Sequence, residues 1–386
     1  MSNVLTTRLK QTFAARFKQS PALLVRAPGR VNLIGEHTDY NGGFVLPCAI
    51  NLETQVAVSP RADRLVRVLA ADYGDVVDEF ELSHAIGPSP SQEWANYVRG
   101  VFKVLQDRDY LFGGVDMAVA GDIPRGAGLS SSASLSVAVA LSLQHVWQLS
   151  GLDAVELARV AQISESDFVG CQCGIMDQLT STSGQAGHVV LIDCDQLTTQ
   201  AVPVPADMAV MIVHSGISRG LVDGEYNTRR AQCEQAAAQL GVAQLRDADM
   251  SLLHAHSSIL EDVVYRRARH VITENQRTLD AADCLAQGDL AGLGKLMAAS
   301  HTSMRDDFEI TVPGVDQLVE VLQAAIGPMG GARMTGGGFG GAVVALLPAT
   351  AVAEVTQVVR QKYQTPAGQA PEVMIERPVA GAGLVT

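Results

Sequence analysis

The chain has 386 residues, of which 47% are hydrophobic and 18% are charged, and its formal net charge at pH 7 is −13. A chain of this length can bury large hydrophobic cores and should divide into about two domains. The acidic excess argues against nucleic acid or an anionic membrane as a partner. We recognise no signal peptide and no apolar run of 18 residues, so we expect a cytoplasmic protein.

Six cysteines are scattered along the chain, at positions 48, 171, 173, 194, 233 and 284. Cys171 and Cys173 lack the spacing of a zinc knuckle or of a redox Cys-x-x-Cys motif. We therefore predict reduced thiols, most of them buried.

Hydrophobic periodicity predicts strands that alternate with helices in the first half of the chain, and a helix-rich second half. After an amphipathic helix over residues 1–20, the first half has predicted strands near 23–27, 31–34, 44–50, 54–59, 65–70, 76–82, 115–120 and 188–193, and helices near 92–107, 131–149 and 153–169. The second half has predicted helices near 223–240, 261–286, 288–303, 313–325 and 350–363, and strands near 208–214, 342–347 and 372–377. Residues 196–206 are the predicted boundary between an N-terminal domain, residues 1–205, and a C-terminal domain, residues 206–386. The pattern alone leaves an α/β fold with βαβ units open.

Polar side chains are concentrated in the segment GRVNLIGEHTDYNGG, residues 29–43, which follows the first predicted strand. They are Arg30, Asn32, Glu36, His37, Asp39, Tyr40 and Asn41. Carboxylates, an imidazole and amides suit a ligand with many hydroxyl groups, because each sugar hydroxyl both donates and accepts. The alternative is a solvated hairpin tip built from turn-forming Asp, Asn and Gly. Such turns do not usually also carry Arg, Glu and His, so the segment favours a site for a polar ligand.

A glycine- and serine-rich loop, GDIPRGAGLSSSAS, occupies residues 121–134 and leads into an apolar helix. Gly126 and Gly128 let a ligand approach the backbone closely. The serines lie where a helix N-terminus leaves its amides unpaired, which makes an anion site, most often for phosphate. The alternative is an ordinary serine-capped helix. Four serines behind two glycines exceed what capping needs, so the loop predicts phosphate binding.

Two familiar phosphate-binding motifs are missing, namely Gly-x-x-x-x-Gly-Lys-[Ser/Thr] and the protein-kinase set of His-Arg-Asp and Asp-Phe-Gly. Residues 336–341 match Gly-x-Gly-x-x-Gly, but a predicted strand follows them, whereas a dinucleotide fingerprint opens a helix. The seven glycines between positions 330 and 341 are too many for a turn. We expect this loop to bring backbone against a ligand or another loop.

With these motifs in this order, the chain resembles the galactokinase family of the GHMP small-molecule kinase superfamily. The main matches are GRVNLIGEHTDY at residues 29–40, PRGAGLSSSAS at 124–134 and MTGGGFGG at 334–341; the others are 94–98, 170–178, 225–230 and 304–311. Ser136 and Ala342 depart from the family pattern, which leads us to expect glutamate and cysteine there. Neither position is one to which we assign chemistry.

The resemblance implies a two-domain α+β fold of the GHMP-kinase type, with the active site in the interdomain cleft. It implies ATP-dependent phosphorylation of D-galactose at the C1 hydroxyl, giving α-D-galactose 1-phosphate and ADP, the first step of galactose catabolism. We therefore expect a cytoplasmic, monomeric enzyme whose partners are D-galactose and ATP and whose cofactor is Mg²⁺. A kinase of a related sugar such as N-acetylgalactosamine, or a galactose and ATP sensor without turnover, stay as alternatives. The intact motif residues disfavour the sensor.

The resemblance also assigns residue roles. Asp177, in the first turn of a predicted short helix, is the catalytic general base toward the C1 hydroxyl. Arg30 stabilises charge on the transferring phosphoryl group and helps keep Asp177 ionised. Without the resemblance, Asp177 would be interpreted as a helix N-terminal carboxylate. The implied sugar contacts are Glu36, His37, Thr38, Asp39, Gly174 and Tyr226, and the implied ATP-binding residues are Gly126, Ala127, Gly128, Leu129, Ser130, Ser131 and Ser132.

Magnesium takes few protein ligands, and these are hard oxygens. By the resemblance they are Ser132 Oγ and Glu165, although Asp167 is a rival that spacing cannot dismiss. Trp94 and Tyr97 are candidates for the adenine pocket, and Trp94 is equally well a core residue. We interpret Arg229 and Arg230 as surface or interdomain charges.

Overall fold

The computed structural model describes residues 2–124, 128–218 and 222–385. In these residues the strands are β1 (Leu23–Asn32), β2 (Phe44–Val45), β3 (Pro47–Pro60), β4 (Leu65–Ala70), β5 (Val76–Glu81), β6 (Val115–Gly121), β7 (His188–Asp193), β8 (Thr198–Pro203), β9 (Met208–His214), β10 (Gly331–Thr335), β11 (Ala342–Pro348), β12 (Glu372–Glu376) and β13 (Gly383–Leu384). The α-helices are α1 (Ser2–Phe17), α2 (Ala95–Asp107), α3 (Ser131–Trp147), α4 (Ala154–Ile163), α5 (Met176–Ser183), α6 (Val222–Leu240), α7 (Met250–Ala255), α8 (Asp262–Gln287), α9 (Leu290–Asp306), α10 (Pro313–Ile326) and α11 (Val352–Lys362). None of the described helices is both long and apolar enough to cross a membrane.

A six-stranded sheet organises the first half of the molecule, with the strand order β13-β1-β3-β6-β4-β5. Its neighbouring strands are antiparallel except β4 and β6, which run parallel. Successive side chains of a strand point to opposite faces. Val56 of β3 therefore packs in the core with α2 and α3, whereas Ala57 packs on the other face with α1. Helices cover this sheet on both sides.

A smaller sheet of three strands, β2-β7-β8, lies beside the first. Its edge strand β8 falls inside residues 196–206, so the predicted boundary segment is not a bare linker. Pro203 ends β8 at the sheet edge, where proline is tolerated. The division into domains 1–205 and 206–386 stays a prediction.

The second half is built on a four-stranded antiparallel sheet, β10-β11-β9-β12. One face carries Val213 and Val343 and packs on α6, α8, α10 and α11. The other face carries Ile212 and Val344 and shares a core with α9 and with Leu33, which follows β1. This shared core joins the sheet to the segment that leads into the polar turn after β1.

The predicted α+β class is confirmed, since helices pack on mainly antiparallel sheets. Several predicted elements differ in detail. The strands predicted at 44–50 and 54–59 are the short strand β2 and the continuous strand β3. The strands predicted at 23–27 and 31–34 are the single strand β1, whose register shifts between Pro28 and Arg30. The helix predicted at 153–169 ends as α4, and the chain continues in a π-helical turn, Ser164–Val169.

Strand β10 was not predicted, because glycines on both sides indicate a loop. Gly331 has a packing reason instead. A Cβ at this position would lie 2.8 Å from the Cα of Gly294 on α9. The glycine therefore allows α9 to lie directly against β10.

Candidate active site

A polar cavity lies between the turn after β1, the loop before α5 and the glycine-rich loop after β10. Most residues predicted for catalysis and sugar binding line it, namely Arg30, Glu36, His37, Asp39, Gly174, Asp177 and Tyr226. The rest of its wall is Gly170, Cys171, Gln172, Cys173, Met176, Asn227, Gly336 and Gly337. We call this space the sugar cavity.

Asp177 lies in the first turn of α5, and both of its carboxylate oxygens accept hydrogen bonds. Arg30 donates to Oδ1 from Nε (2.7 Å) and from Nη2 (2.5 Å), and Ser130 Oγ donates to Oδ2 (2.5 Å). Arg30 Nη1 also donates to the carbonyl of Gly128 at 2.7 Å. The Asp177 side chain is 27% exposed, against 8% for Arg30. Charge-assisted hydrogen bonds from Arg30 therefore hold the carboxylate in place while it remains accessible from the cavity.

Asp39 is packed against the backbone of Gly174. A Cβ at position 174 would lie 1.8 Å from Asp39 Oδ2, so no other residue leaves room for this carboxylate. Burial, and after it the nearby Asp177, raises the pKa of Asp39 to about 6. A group with this pKa changes its charge near neutral pH.

Glu36 is buried at the base of the cavity and receives donors from β10 and the loop after it. The amide of Gly336 donates to Glu36 Oε1 at 2.7 Å. The fully buried guanidinium of Arg333 lies 3.4 Å from the same oxygen and donates to the carbonyl of Asn32 at 3.3 Å. Arg333 therefore links the turn after β1 to β10.

The His37 side chain lies among aromatic rings. Its ring centroid is 5.0 Å from that of Tyr226 and 4.9 Å from that of Phe308. Nδ1 lies 2.6 Å from the Tyr40 hydroxyl, and Nε2 lies 3.4 Å from the carbonyl of Gly337. These contacts fix the plane of an imidazole that borders the cavity.

Thr38 is the predicted sugar contact whose side chain the structure does not bring to the cavity. It is fully buried. Its hydroxyl lies 2.9 Å from the carbonyl of Gly35 and 2.7 Å from that of Phe44. Thr38 holds the turn together, because its hydroxyl satisfies backbone groups that the turn leaves unpaired.

The predicted metal ligands Ser132 and Glu165 are brought together. Glu165 is 3% exposed and lies in the π-helical turn. It is hydrogen-bonded to Ser132 and accepts from Gln178 Nε2 at 2.8 Å. Burial raises the pKa of Glu165 to about 7. The rival Asp167 is exposed, and its carboxylate accepts a hydrogen bond from Ser166.

The described residues contain no cluster of three or more His, Cys, Asp or Glu side chains that could bind a metal alone. The pair Ser132 and Glu165 instead offers two hard oxygen donors beside the serine-rich loop. Two donors fit an ion whose other ligands are phosphate oxygens and water, as is usual for magnesium.

A second cavity opens at the other side of the N-terminus of α3. It is lined by Thr54, Asp72, Tyr73, Trp94, Tyr97, Val119, Gly121, Ile123, Ser131, Ser132 and Leu135. The rings of Tyr73 and Trp94 are stacked, with centroids 6.2 Å apart and planes 22° apart. We call this space the aromatic cavity. Its flat walls beside Ser131 and Ser132 suit an aromatic base attached to phosphates.

The loop before α3 is described from Gly128 onward; Arg125, Gly126 and Ala127 lie outside the described residues. The Ser130 side chain makes no capping hydrogen bond and instead binds Asp177. Leu129 is buried in the core, and its carbonyl accepts from the Arg30 amide at 3.2 Å. Capping therefore does not explain Ser130, which belongs to the carboxylate site.

Three family models match the chain: the galactokinase galactose-binding signature over residues 11–60, the GHMP kinases N terminal domain over 96–185 and the GHMP kinases C terminal model over 281–365. The crystal structure of Lactococcus lactis galactokinase complexed with galactose is similar to this chain, with a TM-score of 0.92 and 32% identity, covering 98% of this chain and 100% of that one. This chain belongs to the galactokinase family.

More distant structures share the fold of this galactokinase-family chain. Methanococcus jannaschii mevalonate kinase has a TM-score of 0.62 at 17% identity, covering 92% of this chain and 98% of that one. Streptococcus pneumoniae phosphomevalonate kinase in complex with phosphomevalonate and AMPPNP has a TM-score of 0.65 at 14% identity, covering 94% of this chain and 100% of that one. The predicted family and the GHMP-kinase fold are confirmed.

Sequence reasoning missed some contacts of this galactokinase-family site. Arg333 carried a usable signal, since it is a lone charge in the otherwise apolar β10. Tyr73 carried none, because its contact with Trp94 joins two separate segments. Gln178 lies in the matched segment 170–178, but its bond to Glu165 depends on how the loop before α5 folds back. The interpretation of Arg229 as a surface or interdomain charge is wrong: it is buried, and it donates to the carbonyl of Phe308 at 2.8 Å.

Proposed function

We propose that this chain transfers the γ-phosphoryl group of ATP to the C1 hydroxyl of D-galactose, giving α-D-galactose 1-phosphate and ADP. The observation that carries the proposal is the position of the Asp177 carboxylate. It lies where the sugar cavity meets the serine-rich loop, and it is held by Arg30 and by Ser130 of that loop. A carboxylate at this junction can face a sugar hydroxyl on one side and a nucleotide phosphate on the other.

In this mechanism Asp177 accepts the C1 hydroxyl proton while the hydroxyl oxygen attacks the γ-phosphorus atom. The bond from that phosphorus to the bridging oxygen breaks, and ADP leaves. The Arg30 guanidinium donates to the transferring phosphoryl group, whose oxygens carry charge in the transition state. Since Arg30 also binds Asp177, one side chain both orients the base and stabilises the charge.

The sugar is held by groups that can each pair with hydroxyls. The carboxylates of Glu36 and Asp39 accept hydrogen bonds from them, and His37 and Tyr226 supply a ring nitrogen and a phenol. The narrow fit of Asp39 against Gly174 supports a fixed position for one sugar hydroxyl. Such positioning is most of what phosphoryl transfer requires from the protein.

Magnesium fits beside Ser132 and Glu165, which would bind it together with ATP phosphate oxygens and water. When bound there, the ion neutralises charge on the phosphates. The hydrogen bond from Gln178 orients Glu165, and a nearby cation favours its ionised form. The adenine base would occupy the aromatic cavity, against Tyr73 and Trp94.

The test is a coupled assay of ADP release with ATP, magnesium and a panel of hexoses. We expect galactose-dependent release, glucose poorer by at least about tenfold in kcat/KM, and loss of turnover when magnesium is chelated. Equal rates with glucose, turnover only with N-acetylgalactosamine, or galactose binding without turnover would contradict the proposal. The monomeric state and the cytoplasmic compartment stay predictions, for gel filtration and cell fractionation to test.

A further inference from the structure

Two thiols in the wall of the sugar cavity take no part in the proposed transfer. Cys171 and Cys173 lie in the loop between the π-helical turn and α5, and both line the cavity. Cys171 is exposed and Cys173 is half-buried. The amide of Cys173 donates to the carbonyl of Cys171 at 2.7 Å, and the neighbouring Cys171 thiol, followed by burial, raises the pKa of Cys173.

This local geometry suits a disulfide. A hydrogen bond between residues i and i+2 closes a three-residue turn, which brings the two outer Cα atoms close together. A disulfide needs a Cα separation of about 4.4–6.8 Å and side chains directed toward each other. Both side chains border the same cavity, so they lie on the same side of the loop. Gly170, before the pair, has a φ of 93° and open space at its α-carbon, so the loop has room to adjust.

We propose that Cys171 and Cys173 are a modification site for peroxides, at which a reversible disulfide inactivates the sugar cavity. The exposed Cys171 sulfur attacks a peroxide oxygen, the O–O bond breaks, and a sulfenic acid and water form. The Cys173 sulfur then attacks the Cys171 sulfur, the S–O bond breaks, and a second water leaves with the Cys173 proton. Two thiols are oxidised and one hydrogen peroxide is reduced to two waters.

The disulfide would act on the site through contacts that Cys173 makes in its reduced form. Its Sγ accepts from Gln178 Nε2 at 3.7 Å, and the same Nε2 donates to Glu165 at 2.8 Å. Turning this sulfur toward Cys171 removes the first contact and pulls on Gly174, the next residue. The inactivation rests on the proposed function, whereas formation of the disulfide does not.

The test treats the reduced and desalted chain with a modest excess of hydrogen peroxide. We expect the chain to lose the mass of two hydrogens, and the loss to lie in the one peptide that contains both residues 171 and 173. The kcat/KM for galactose should fall by at least about tenfold, and dithiothreitol should reverse this fall. Cys171→Ser and Cys173→Ser, each compared with its own untreated activity, should resist the loss. The control Cys284→Ser, at a half-buried thiol on α8, should stay as sensitive as the wild type.

Equal inactivation of both serine variants and the wild type would overturn the proposal, as would an inactivated protein whose peptide map lacks the 171–173 bond. A disulfide that forms in a chain without galactose kinase activity would support the modification site and refute the proposed function. The mass measurement thus separates the two failures.

Discussion

The acids Asp177 and Glu165 differ in whether a cation already accompanies them. Asp177 is partly exposed, and its carboxylate is bound by the guanidinium of Arg30. Glu165 is almost fully buried, and its hydrogen-bond partners among the described residues are the neutral groups of Gln178 and Ser132. Burial raises the pKa of Glu165 to about 7, because the hydrogen bonds from neutral partners offset only part of the cost of burying the ionised carboxylate.

This difference indicates two functions. A carboxylate bound by its own guanidinium is held in one orientation, as a general base must be. A buried carboxylate with neutral partners gains most from an arriving cation, because metal binding and deprotonation are coupled. The comparison therefore supports the proposed roles, proton transfer for Asp177 and metal binding for Glu165, and each role can be tested separately.

The largest expected effect follows from Asp177→Asn. The amide keeps the size of the carboxylate but cannot accept the proton, so kcat should fall by roughly 10²- to 10⁴-fold. Galactose affinity, measured by calorimetry, should change far less, because an amide still pairs with hydroxyls. Circular dichroism confirms that the variant is folded. A folded variant that keeps more than about a tenth of the wild-type kcat would mean that Asp177 only positions the sugar.

The next effect concerns the cation that accompanies Asp177. Arg30→Ala should lower kcat by about 10²-fold or more, because it removes charge stabilisation from the phosphoryl group and a partner from Asp177. Arg30→Lys should recover only part of this loss, since a point charge cannot make the paired contacts of the guanidinium. Steady-state kinetics with both variants measure the difference. Full recovery with lysine would show that only the charge matters.

The metal site gives a smaller and more specific effect. Glu165→Gln and Ser132→Ala should each raise the magnesium concentration needed for half-maximal activity by about 10- to 100-fold, because each removes one of few protein oxygens. Asp167→Asn is the matched control, since this nearby acid is exposed. A magnesium titration of the activity separates the variants. A silent Glu165→Gln beside a damaging Asp167→Asn would reverse the ligand assignment.

The sequence predicted which segments form this site better than it predicted the contacts between them. The turn over residues 29–43 and the loop before α3 were predictable, because glycines and clustered polar residues mark them locally. That Arg30 lies beside Asp177 was implied only by the resemblance, because the two lie far apart in the chain. That Ser130, predicted to bind ATP, also donates to Asp177 was not predicted.

Other features depend on tertiary packing that no local pattern encodes. Thr38 is adjacent in sequence to sugar-side residues, yet its hydroxyl is turned into the backbone of the turn. Arg229 is a charged residue in a polar helix, which is typical of a surface position, yet its guanidinium donates to the carbonyl of Phe308. Strand β10 was not predicted because its neighbouring glycines indicate a loop, whereas Gly331 is needed for the close approach of α9.

Asp39 is a third acid of the candidate site, and it lines the sugar cavity with Asp177. It faces the carboxylates of Asp177 and Glu36, which raise its pKa, and Arg30, which lowers it; burial is the largest influence, and the result is a pKa of about 6 against an ordinary 3.8. Above this value the carboxylate is ionised and can accept hydrogen bonds from sugar hydroxyls. Below it the carboxyl group is neutral, so galactose affinity should fall as the pH is lowered through 6.

The smallest predicted effect is therefore a pH dependence of galactose binding. Calorimetry without ATP should show that the Kd for galactose rises by about tenfold from pH 7 to pH 5, which is the ratio of ionised fractions for a group with a pKa near 6. Asp39→Asn should bind weakly at both pH values and show little of this change. Asp195→Asn, at a nearby acid outside the sugar cavity, should keep the wild-type dependence. If Asp39→Asn keeps it too, the titrating group is another acid, and Asp39 binds the sugar in a form that does not change over this range.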